Sequence, residues 1–175
     1  MHPLDKFIFC PACSSKAFRI NNEKSKKCAD CGFTYYANPS SATAAFIINE
    51  QQELLVAIRG KEPAKGTYDL PGGFVDMNET SEEGMIREIR EETGITVNQV
   101  DYLFSIPNRY AYSGMIIHTL DMFYRVHVNN NDVSPAAADD AAELFWLPLQ
   151  KVDPKDFGLH SISQGVCRFL STEKM

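Results

Sequence analysis

The fold and the chemistry of this chain are decided by the stretch Gly73–Ile95, GFVDMNETSEEGMIREIREETGI. Thr80 and, three residues later, Glu83 make a capping box, which predicts that a helix begins at this point. Gly94 stands where a left-handed C-cap would end that helix. Three apolar residues recur at helical spacing and are expected to face a core: Met85, Ile86 and Ile89. The stretch therefore predicts one capped helix with an apolar face.

Acidic side chains crowd one side of this predicted helix. Glu88 lies one turn from both Glu91 and Glu92, and like charges at this spacing cost about 0.2–0.5 kcal/mol per pair. Glu91 and Glu92 also fall in the last turn, where the helix dipole disfavours negative charge. A divalent cation would relieve both penalties, and carboxylate oxygens suit hard ions such as Mg²⁺ or Mn²⁺. The alternative is a solvated face held by i,i+4 pairs of Arg87 with Glu83 and Glu91.

The sequence directly before the predicted helix favours the metal site. Two adjacent glycines, Gly72 and Gly73, follow Leu70-Pro71, and paired glycines let a backbone approach a ligand or a metal closely. From Gly73 onward the chain resembles the Nudix hydrolase family at every defined position of that family's signature box. Those positions are Gly73, Glu79, Arg87, Glu88, Ile89, Glu91, Glu92, Gly94 and Ile95.

The resemblance implies a fold, an activity and residue roles. The family fold is of the α/β (α+β) class, an α/β/α sandwich with a mixed sheet. The family activity is Mg²⁺- or Mn²⁺-dependent hydrolysis of the pyrophosphate bond in a nucleoside diphosphate linked to another moiety, which releases a nucleoside monophosphate. Carried over from the box, Glu79 and Arg87 would orient the helix and its acids. The metal ligands would be Glu88, Glu91, Glu92 and the backbone carbonyl of Gly72.

The resemblance leaves the general base open, because this residue varies within the family. It is either a box glutamate or an acid on a downstream loop, where the candidates are Asp139, Asp140 and Glu143. Of these we favour Glu143. The alternative for Glu143 is a surface acid at the start of a strand.

The first part of the chain carries a second metal-binding pattern. Cys10-Pro-Ala-Cys13 and Cys28-Ala-Asp-Cys31 are two CxxC pairs separated by fourteen residues, the spacing of a four-thiolate zinc site in a zinc ribbon. The alternatives are two disulfides or free thiols, and a reducing cytosol disfavours disulfides. Because a closed four-sulfur site is structural, we expect a zinc ribbon over residues 1–36 and a Nudix hydrolase domain over residues 37–175. Cys167 is expected to be a buried small hydrophobe in a C-terminal helix.

Outside the box, the apolar pattern predicts several strands and a final helix, a mixture that fits a layered α/β or α+β domain. The predicted strands are Ala42–Asn49, Leu54–Arg59, Val97–Ile106, Ile116–Val128 and Leu144–Leu147. Pro107–Gly114 and Asn129–Ala142 are predicted to be irregular. Asp153 and Pro154 have the pattern of an N-cap and first residue of the final helix. The apolar face of that helix would be formed by Ile162, Val166, Phe169 and Leu170.

Length and charge limit the remaining possibilities. The chain of 175 residues can hold one domain and a small module, and no apolar run approaches the length of a membrane span. The N-terminal sequence lacks the apolar core of a signal peptide, so we expect a cytoplasmic protein without a membrane partner. The net charge of −6 argues against broad nucleic-acid binding. A homodimer is an expectation carried over from the family.

The charge is distributed unevenly, which keeps another class of function open. Residues 1–36 hold six basic and three acidic residues. The alternative is therefore a non-catalytic nucleotide sensor, or a nucleic-acid-associated Nudix protein that uses its basic ribbon. The complete box favours an enzyme, because sensors of this family commonly lose box acids. The basic residues that would contact RNA or DNA are Lys16, Arg19, Lys24, Lys26 and Lys27.

A second resemblance concerns the substrate. NADH pyrophosphatases are Nudix enzymes that carry a four-cysteine ribbon before the catalytic domain and a motif Ser-Gln-Pro-Trp-Pro-Phe-Pro-x-Ser after the box. Here Ser105–Ser113, SIPNRYAYS, aligns with that motif. Ser105, Pro107 and Ser113 match, Tyr110 replaces the phenylalanine, and the glutamine, the tryptophan and two prolines are missing.

We therefore expect a nucleotide-derived small molecule of the NADH or ADP-ribose type as the substrate, with dinucleoside polyphosphates and nucleotide sugars as further alternatives. Tyr110 or Tyr112 would stack on a base or nicotinamide, and Arg109 would contact a phosphate. The alternative is that both tyrosines only pack within a loop and Arg109 faces solvent. Phe74, next to the paired glycines, completes the predicted substrate-binding set.

Overall fold

The first three strands form a small sheet of their own. The computed structural model describes residues 2–128 and 141–173. In it β1 (Phe18–Asn22), β2 (Ser25–Cys28) and β3 (Thr34–Tyr36) pair antiparallel in the order β1-β2-β3. The apolar cluster of this segment contains only Cys10, Phe18 and Cys28 among the described residues. So small a core needs a metal or another crosslink to stabilise it.

A mixed six-stranded sheet forms the larger part of the molecule. Its strands are β4 (Ser40–Ile48), β5 (Glu53–Arg59), β6 (Tyr68–Asp69), β7 (Asp101–Tyr112), β8 (Met115–His127) and β9 (Ala141–Pro148). The order is β6-β5-β4-β8-β7, and β9 pairs with β5 in antiparallel register, with Glu53 opposite Pro148. The strands predicted around β4, β5, β8 and β9 are confirmed, with ends shifted by a few residues.

Two α-helices lie within the described residues, α1 (Ser81–Thr93) and α2 (His160–Glu173). The predicted capping box begins α1: Thr80 Oγ1 accepts a hydrogen bond from the N–H of Glu83 at 3.2 Å, and Glu83 Oε2 accepts one from the N–H of Thr80 at 2.7 Å. The helix ends at Gly94, whose φ of 73° is the left-handed conformation that favours glycine.

Each face of the large sheet is covered by one helix. Successive side chains of β4 point to opposite faces, as the pleat requires. Ala45 and Ile47 belong to the core with α1, whereas Phe46 and Ile48 belong to the core with α2. The ring of Phe46 stacks on Phe169 of α2 with centroids 4.1 Å apart. The α/β/α sandwich expected from the sequence is thereby confirmed.

The segment predicted to be irregular, Pro107–Gly114, is instead the end of β7 followed by a tight hairpin turn. The predicted strand Val97–Ile106 was therefore placed too early. Because β7 is an edge strand, it tolerates Pro107, which has no N–H to donate to a neighbouring strand. Ser113 and Gly114 have φ values of 48° and 72°, the left-handed pair that a two-residue hairpin turn requires.

The start of α2 also differs from its prediction. Asp153 Oδ1 accepts a hydrogen bond from the N–H of Lys155 at 3.0 Å and caps a short 3-10 turn, Pro154–Asp156. Phe157 then adopts an extended backbone and is buried in the core, so the α-helix begins only at His160.

The apolar face of α2 is confirmed, but the prediction for Cys167 was wrong. Ile162, Val166 and Phe169 are buried. Cys167 is exposed because it lies one residue after Val166, about 100° further round the helix at 3.6 residues per turn.

The described chain divides into two compact units. The first runs to Ser40 and includes the hairpin tip Arg109–His118, and the second contains Ser41–Asn108 and the chain from Thr119 onward. The predicted division into a ribbon over residues 1–36 and a domain over residues 37–175 stays a prediction. Most of the predicted loop Asn129–Ala142 lies outside the described residues. No helix in the described part of the chain has the length and apolarity needed to span a membrane.

Candidate active site and zinc centre

Arg87 is the centre of a polar network on α1. Its guanidinium donates two hydrogen bonds to Glu79, from Nη2 to Oε1 at 2.7 Å and from Nε to Oε2 at 3.2 Å. Further hydrogen bonds reach Glu88 Oε1 at 2.8 Å, Glu91 Oε2 at 3.1 Å and the carbonyl oxygen of Phe74 at 3.0 Å. One side chain thus fixes three carboxylates relative to the loop before the helix.

Glu79 is locked into the same network from a second direction. Its Oε1 also accepts a hydrogen bond from the N–H of Asp76 at 2.6 Å. The hydrogen bonds from Arg87, followed by that from Asp76, lower the pKa of Glu79 below its ordinary value. Glu79 is therefore held as a carboxylate that orients Arg87.

The paired glycines bring the loop backbone against both β4 and α1. Gly72 has a φ of 152°, and a Cβ there would lie 2.1 Å from the carbonyl oxygen of Thr43. The N–H of Gly72 donates a hydrogen bond to Glu92 Oε2 at 2.8 Å. A Cβ on Gly73 would lie 2.5 Å from Glu88 Oε1. The loop therefore reaches two of the box acids only because it has no side chains at these positions.

The side chain of Glu88 is less exposed to solvent than that of Glu91, one turn later. Its exposed fraction is 14%, compared with 49% for Glu91. Burial raises the pKa of Glu88, while the hydrogen bond and positive charge of Arg87 act in the opposite direction. An additional cation beside this carboxylate would favour its charged form.

The donor set on α1 suits Mg²⁺ or Mn²⁺ in its chemistry, since carboxylates and peptide carbonyls are the ligands that these hard ions prefer. In the described residues, however, Glu88 and Glu91 accept hydrogen bonds from Arg87, and Glu92 accepts one from the N–H of Gly72. The cysteines described next are the only group of three or more described Cys, His, Asp or Glu residues whose ligand atoms all lie within 4.8 Å of one another. A metal ion on α1 therefore requires some box acids to turn away from these partners.

Four cysteine sulfurs converge in the first compact unit. The Sγ atoms of Cys10 and Cys31 are 3.7 Å apart, and those of Cys13 and Cys28 are also 3.7 Å apart. Zinc–sulfur bonds of about 2.3 Å in a tetrahedron place sulfurs about 3.8 Å from one another. No disulfide joins these cysteines, so the alternative of two disulfides is not found. Their arrangement fits a zinc ion without rearrangement.

Backbone N–H groups stabilise the thiolate form of one of these cysteines. The N–H of Cys31 is the main cause that lowers the pKa of the Cys28 thiol to about 7, and the N–H of Asp30 adds to it. The thiolate is the form that binds zinc. The turn from Cys28 to Cys31 therefore both shapes the site and favours the charged form of this ligand.

Glu143, the favoured candidate for the general base, lies in β9. The next residue, Leu144, belongs to the core with α1, whereas Phe145 packs on the α2 side. By the alternation of the pleat, Glu143 projects from the face that carries α2, opposite to the box helix. Its role as base stays a prediction, and the other candidates, Asp139 and Asp140, lie outside the described residues.

The residues predicted to bind substrate lie in two different units. Tyr110 and Tyr112 project from β7 with ring centroids 6.3 Å apart and planes at 22°. They and Arg109 belong to the hairpin tip in the first unit. Phe74 belongs to the second unit and is 47% exposed. Contact of all four with one substrate stays a prediction.

Sequence reasoning missed two residues that support the network. Asp76 supplies the backbone donor to Glu79, and nothing in its local sequence indicates that contact. Gly84 leaves space for Glu79, because a Cβ there would lie 2.9 Å from Glu79 Oε1. A signal for Gly84 was present in the sequence, since glycine inside a helix costs about 1 kcal/mol relative to alanine and therefore needs a local reason.

A family model and sequence relatives both match this chain. The NUDIX domain family model matches residues 38–164. The chain is 30% identical over 153 residues to the NAD-capped RNA hydrolase NudC of Vibrio parahaemolyticus, covering 87% of this chain and 55% of that one. It is 30% identical over 139 residues to the ADP-ribose pyrophosphatase of Methanocaldococcus jannaschii, covering 78% of each. The chain thus spans about half the length of the NudC relative.

A solved structure shows the same fold. The NUDIX hydrolase from Nitrosomonas europaea superposes with a TM-score of 0.72 at 20% identity, and the match covers 95% of this chain and 92% of that one. At this identity the likeness concerns the fold alone.

Proposed function

This chain belongs to the Nudix hydrolase family, and we propose that it hydrolyses the pyrophosphate bond of a nucleoside diphosphate linked to another moiety. The observation that carries the proposal is the network in which Arg87 holds Glu79, Glu88 and Glu91 on one side of α1. Acids at this spacing in the last turns of a helix destabilise it, and Arg87 supplies a single positive charge against the three carboxylates that it contacts. Their presence together is explained by binding of a divalent metal.

The reaction makes two demands that these residues can meet. A pyrophosphate bond is slow to hydrolyse largely because its anionic oxygens repel a nucleophile, so the site must neutralise charge and position a water. A bound Mg²⁺ or Mn²⁺ would supply that neutralisation and lower the pKa of a water. We propose that Glu88, Glu91, Glu92 and the carbonyl of Gly72 hold the ion.

Glu79 and Arg87 are positioning residues in this proposal. When Glu88 or Glu91 turns towards a cation, Arg87 loses those hydrogen bonds. It retains the two hydrogen bonds to Glu79 and the one to the Phe74 carbonyl. The guanidinium of Arg87 would therefore keep its position while Glu88 or Glu91 reorients.

We propose a substrate of the NADH or ADP-ribose type that yields a nucleoside monophosphate. The names of the two curated relatives support this class, since one acts on NAD-capped RNA and the other on ADP-ribose. The half-buried Tyr110 and the exposed Tyr112 have nearly parallel rings, which offer a stacking surface for a base or a nicotinamide. Cytoplasmic location and a homodimer stay predictions.

The test is an assay of the purified chain with Mg²⁺ or Mn²⁺ against NADH, NAD⁺, ADP-ribose, dinucleoside polyphosphates, nucleotide sugars and nucleoside triphosphates. Chromatography of the products identifies the bond that is cleaved. We expect AMP to be released from NADH or from ADP-ribose. The compound of these two that is hydrolysed with the higher kcat/KM is the preferred substrate. Metal binding without turnover of any compound would contradict the proposal and favour a nucleotide sensor.

The assignment of the base has its own test. If Glu143 is the general base, Glu143→Gln lowers kcat by about 100-fold or more, since positioned acid–base catalysis contributes about 10²–10⁴-fold. If a box glutamate serves instead, as the position of Glu143 on the α2 face favours, the variant retains kcat within a few-fold. Unchanged zinc content and thermal stability are the controls for folding.

A further inference from the structure

The three-stranded sheet of the first unit has one exposed, basic face. Cross-strand partners project from the same face of an antiparallel sheet. The register therefore places Arg19 beside Lys27, and Lys27 beside Thr34. Tyr36 lies two residues after Thr34 and projects from that face as well. We call Arg19, Lys27, Thr34 and Tyr36 the basic face.

The opposite face of the same sheet is partly buried. Phe18, Lys26 and Cys28 project from it and are buried, whereas Ile20 on the same face is exposed. The ammonium of Lys26 donates a hydrogen bond to the carbonyl oxygen of Phe7 at 2.8 Å. The lysine that faces inward thus has a structural partner, and the two cations on the basic face are turned outward.

The pairing of Arg19 with Lys27 is unfavourable for the sheet itself. Like charges directly opposite each other in an antiparallel pair are destabilising. Both side chains are exposed, and neither forms an ion pair with a carboxylate of residues 2–128 or 141–173. An anionic ligand beside the two side chains would relieve this repulsion.

Two acids of the first unit have hydrogen-bond partners outside the basic face. Asp5 accepts a hydrogen bond from the N–H of His2 at 2.9 Å, and Asp30 accepts one from Ser15 Oγ at 2.5 Å. The first 36 residues are net positive in a chain whose net charge is −6. Positive charge is thus concentrated on this small unit against the trend of the whole molecule.

We propose that the basic face binds single-stranded nucleic acid. Arg19 and Lys27 would contact backbone phosphates, and an unpaired base would stack on the ring of Tyr36, a residue that is 47% exposed. Proteins that bind single strands combine these two elements, a cationic track for the backbone and aromatic rings for the bases. The proposal goes beyond hydrolysis of a nucleotide and does not depend on it.

Fluorescence anisotropy with a short single-stranded RNA that carries a 5′-hydroxyl tests the proposal, because this probe has no pyrophosphate bond. We expect Arg19→Ala/Lys27→Ala to weaken binding at low salt by about tenfold or more. The slope of log K against log salt should fall by about 1.4, since each phosphate contact on a single strand contributes about 0.7. Tyr36→Ala should weaken binding about five- to hundredfold with an unchanged slope, because stacking is not electrostatic.

Matched control variants distinguish binding at this face from a general effect of positive charge. Lys151→Ala/Lys155→Ala removes two exposed positive charges from the second unit and should leave affinity unchanged. Glu91→Gln, which lies in the proposed hydrolytic site, should also bind the probe normally. Zinc content confirms that each ribbon variant is folded.

Three outcomes would overturn the proposal. One is the absence of RNA binding by the native chain at low salt. Another is an equal loss of affinity in the Lys151/Lys155 control, which would mean that net charge alone matters. The third is a change of oligomeric mass in the basic-face variants with unchanged RNA affinity, which would assign the face to a second copy of the chain.

Discussion

Arg87 and Glu79, eight residues apart in sequence, form a two-point ion pair in which Nη2 and Nε of the arginine bond to the two carboxylate oxygens at 2.7 and 3.2 Å. Planar pairs of this kind fix orientation as well as distance. Arg87 is itself part of α1, so the pair ties the loop before the helix to the helix face that carries the acids. A lysine in place of Arg87 could not reproduce both bonds.

Loss of a box carboxylate should remove activity without unfolding the chain. Glu91→Gln and Glu92→Gln each delete one charge from the proposed metal site, and we expect kcat to fall by about 100-fold or more, because metal ligation supplies several kcal/mol of charge stabilisation. Steady-state kinetics measures the effect, and circular dichroism checks the fold. The matched control is Glu82→Gln in the first turn of the same helix, which should retain activity. Near-normal turnover in either box variant would remove that residue from the metal site.

The ion pair predicts a particular pH dependence of stability. Because Arg87 lowers the pKa of Glu79, the folded state binds this proton less readily than the unfolded state does. The stabilisation is therefore complete above the ordinary value of about 4.5 and is lost as the pH falls through the lower pKa of the folded state. Glu79→Gln should lower the melting temperature at neutral pH, and its difference from the native chain should shrink in acid.

Thermal melts from neutral to acidic pH measure this difference. Glu62→Gln, at an exposed acid in the loop between β5 and β6, serves as the control and should follow the native curve. A Glu79→Gln difference that stays constant across the whole pH range would contradict the assignment.

Alanine substitutions at the two adjacent glycines should have different effects, one mainly on stability and the other mainly on activity. Gly72→Ala places a Cβ against the backbone oxygen of Thr43 and should destabilise the chain by about 2–6 kcal/mol, since β4 must shift and the backbone at this φ is strained for alanine. Gly73→Ala meets only the carboxylate end of Glu88, which can move. It should therefore cost little stability but lower kcat about 10- to 100-fold, because a box acid is displaced.

Gly94→Ala is the reference for backbone strain alone. Its φ is 73° and a Cβ there meets no atom within 4 Å, so the expected cost is about 1–2 kcal/mol with activity retained. Chemical denaturation ranks the three variants. Equal destabilisation at Gly72 and Gly94 would show that the contact with Thr43 is not decisive.

Removal of one proposed zinc ligand should affect the first unit selectively. Cys10→Ser takes away a sulfur that is buried in a very small core, so we expect loss of zinc and rapid amide exchange in β1, β2 and β3. Elemental analysis and hydrogen exchange measure the two effects. Cys167→Ser, at the exposed cysteine on α2, should change neither. Full zinc content in Cys10→Ser would contradict the four-sulfur site.

Sequence patterns predicted the local features of this molecule well. The capping box of Thr80 with Glu83 and the left-handed Gly94 depend on neighbouring residues alone, and both are found as expected. Pro107 was misleading, because a proline usually ends a strand, and only the position of β7 at the sheet edge makes it tolerable. The exposure of Cys167 was missed because one residue separates it from the buried face of α2.

The sequence by itself determined the family, the helix that carries the acids and the grouping of four cysteines, since each depends on spacing along a short segment. Only the tertiary structure decided which groups meet over longer distances. The bond from Gly72 to Glu92 and the projection of Glu143 from the α2 face follow from the close approach of loop to helix and from strand pairing. Local spacing cannot encode such contacts, because they form only when the sheet order and both cores bring distant segments together.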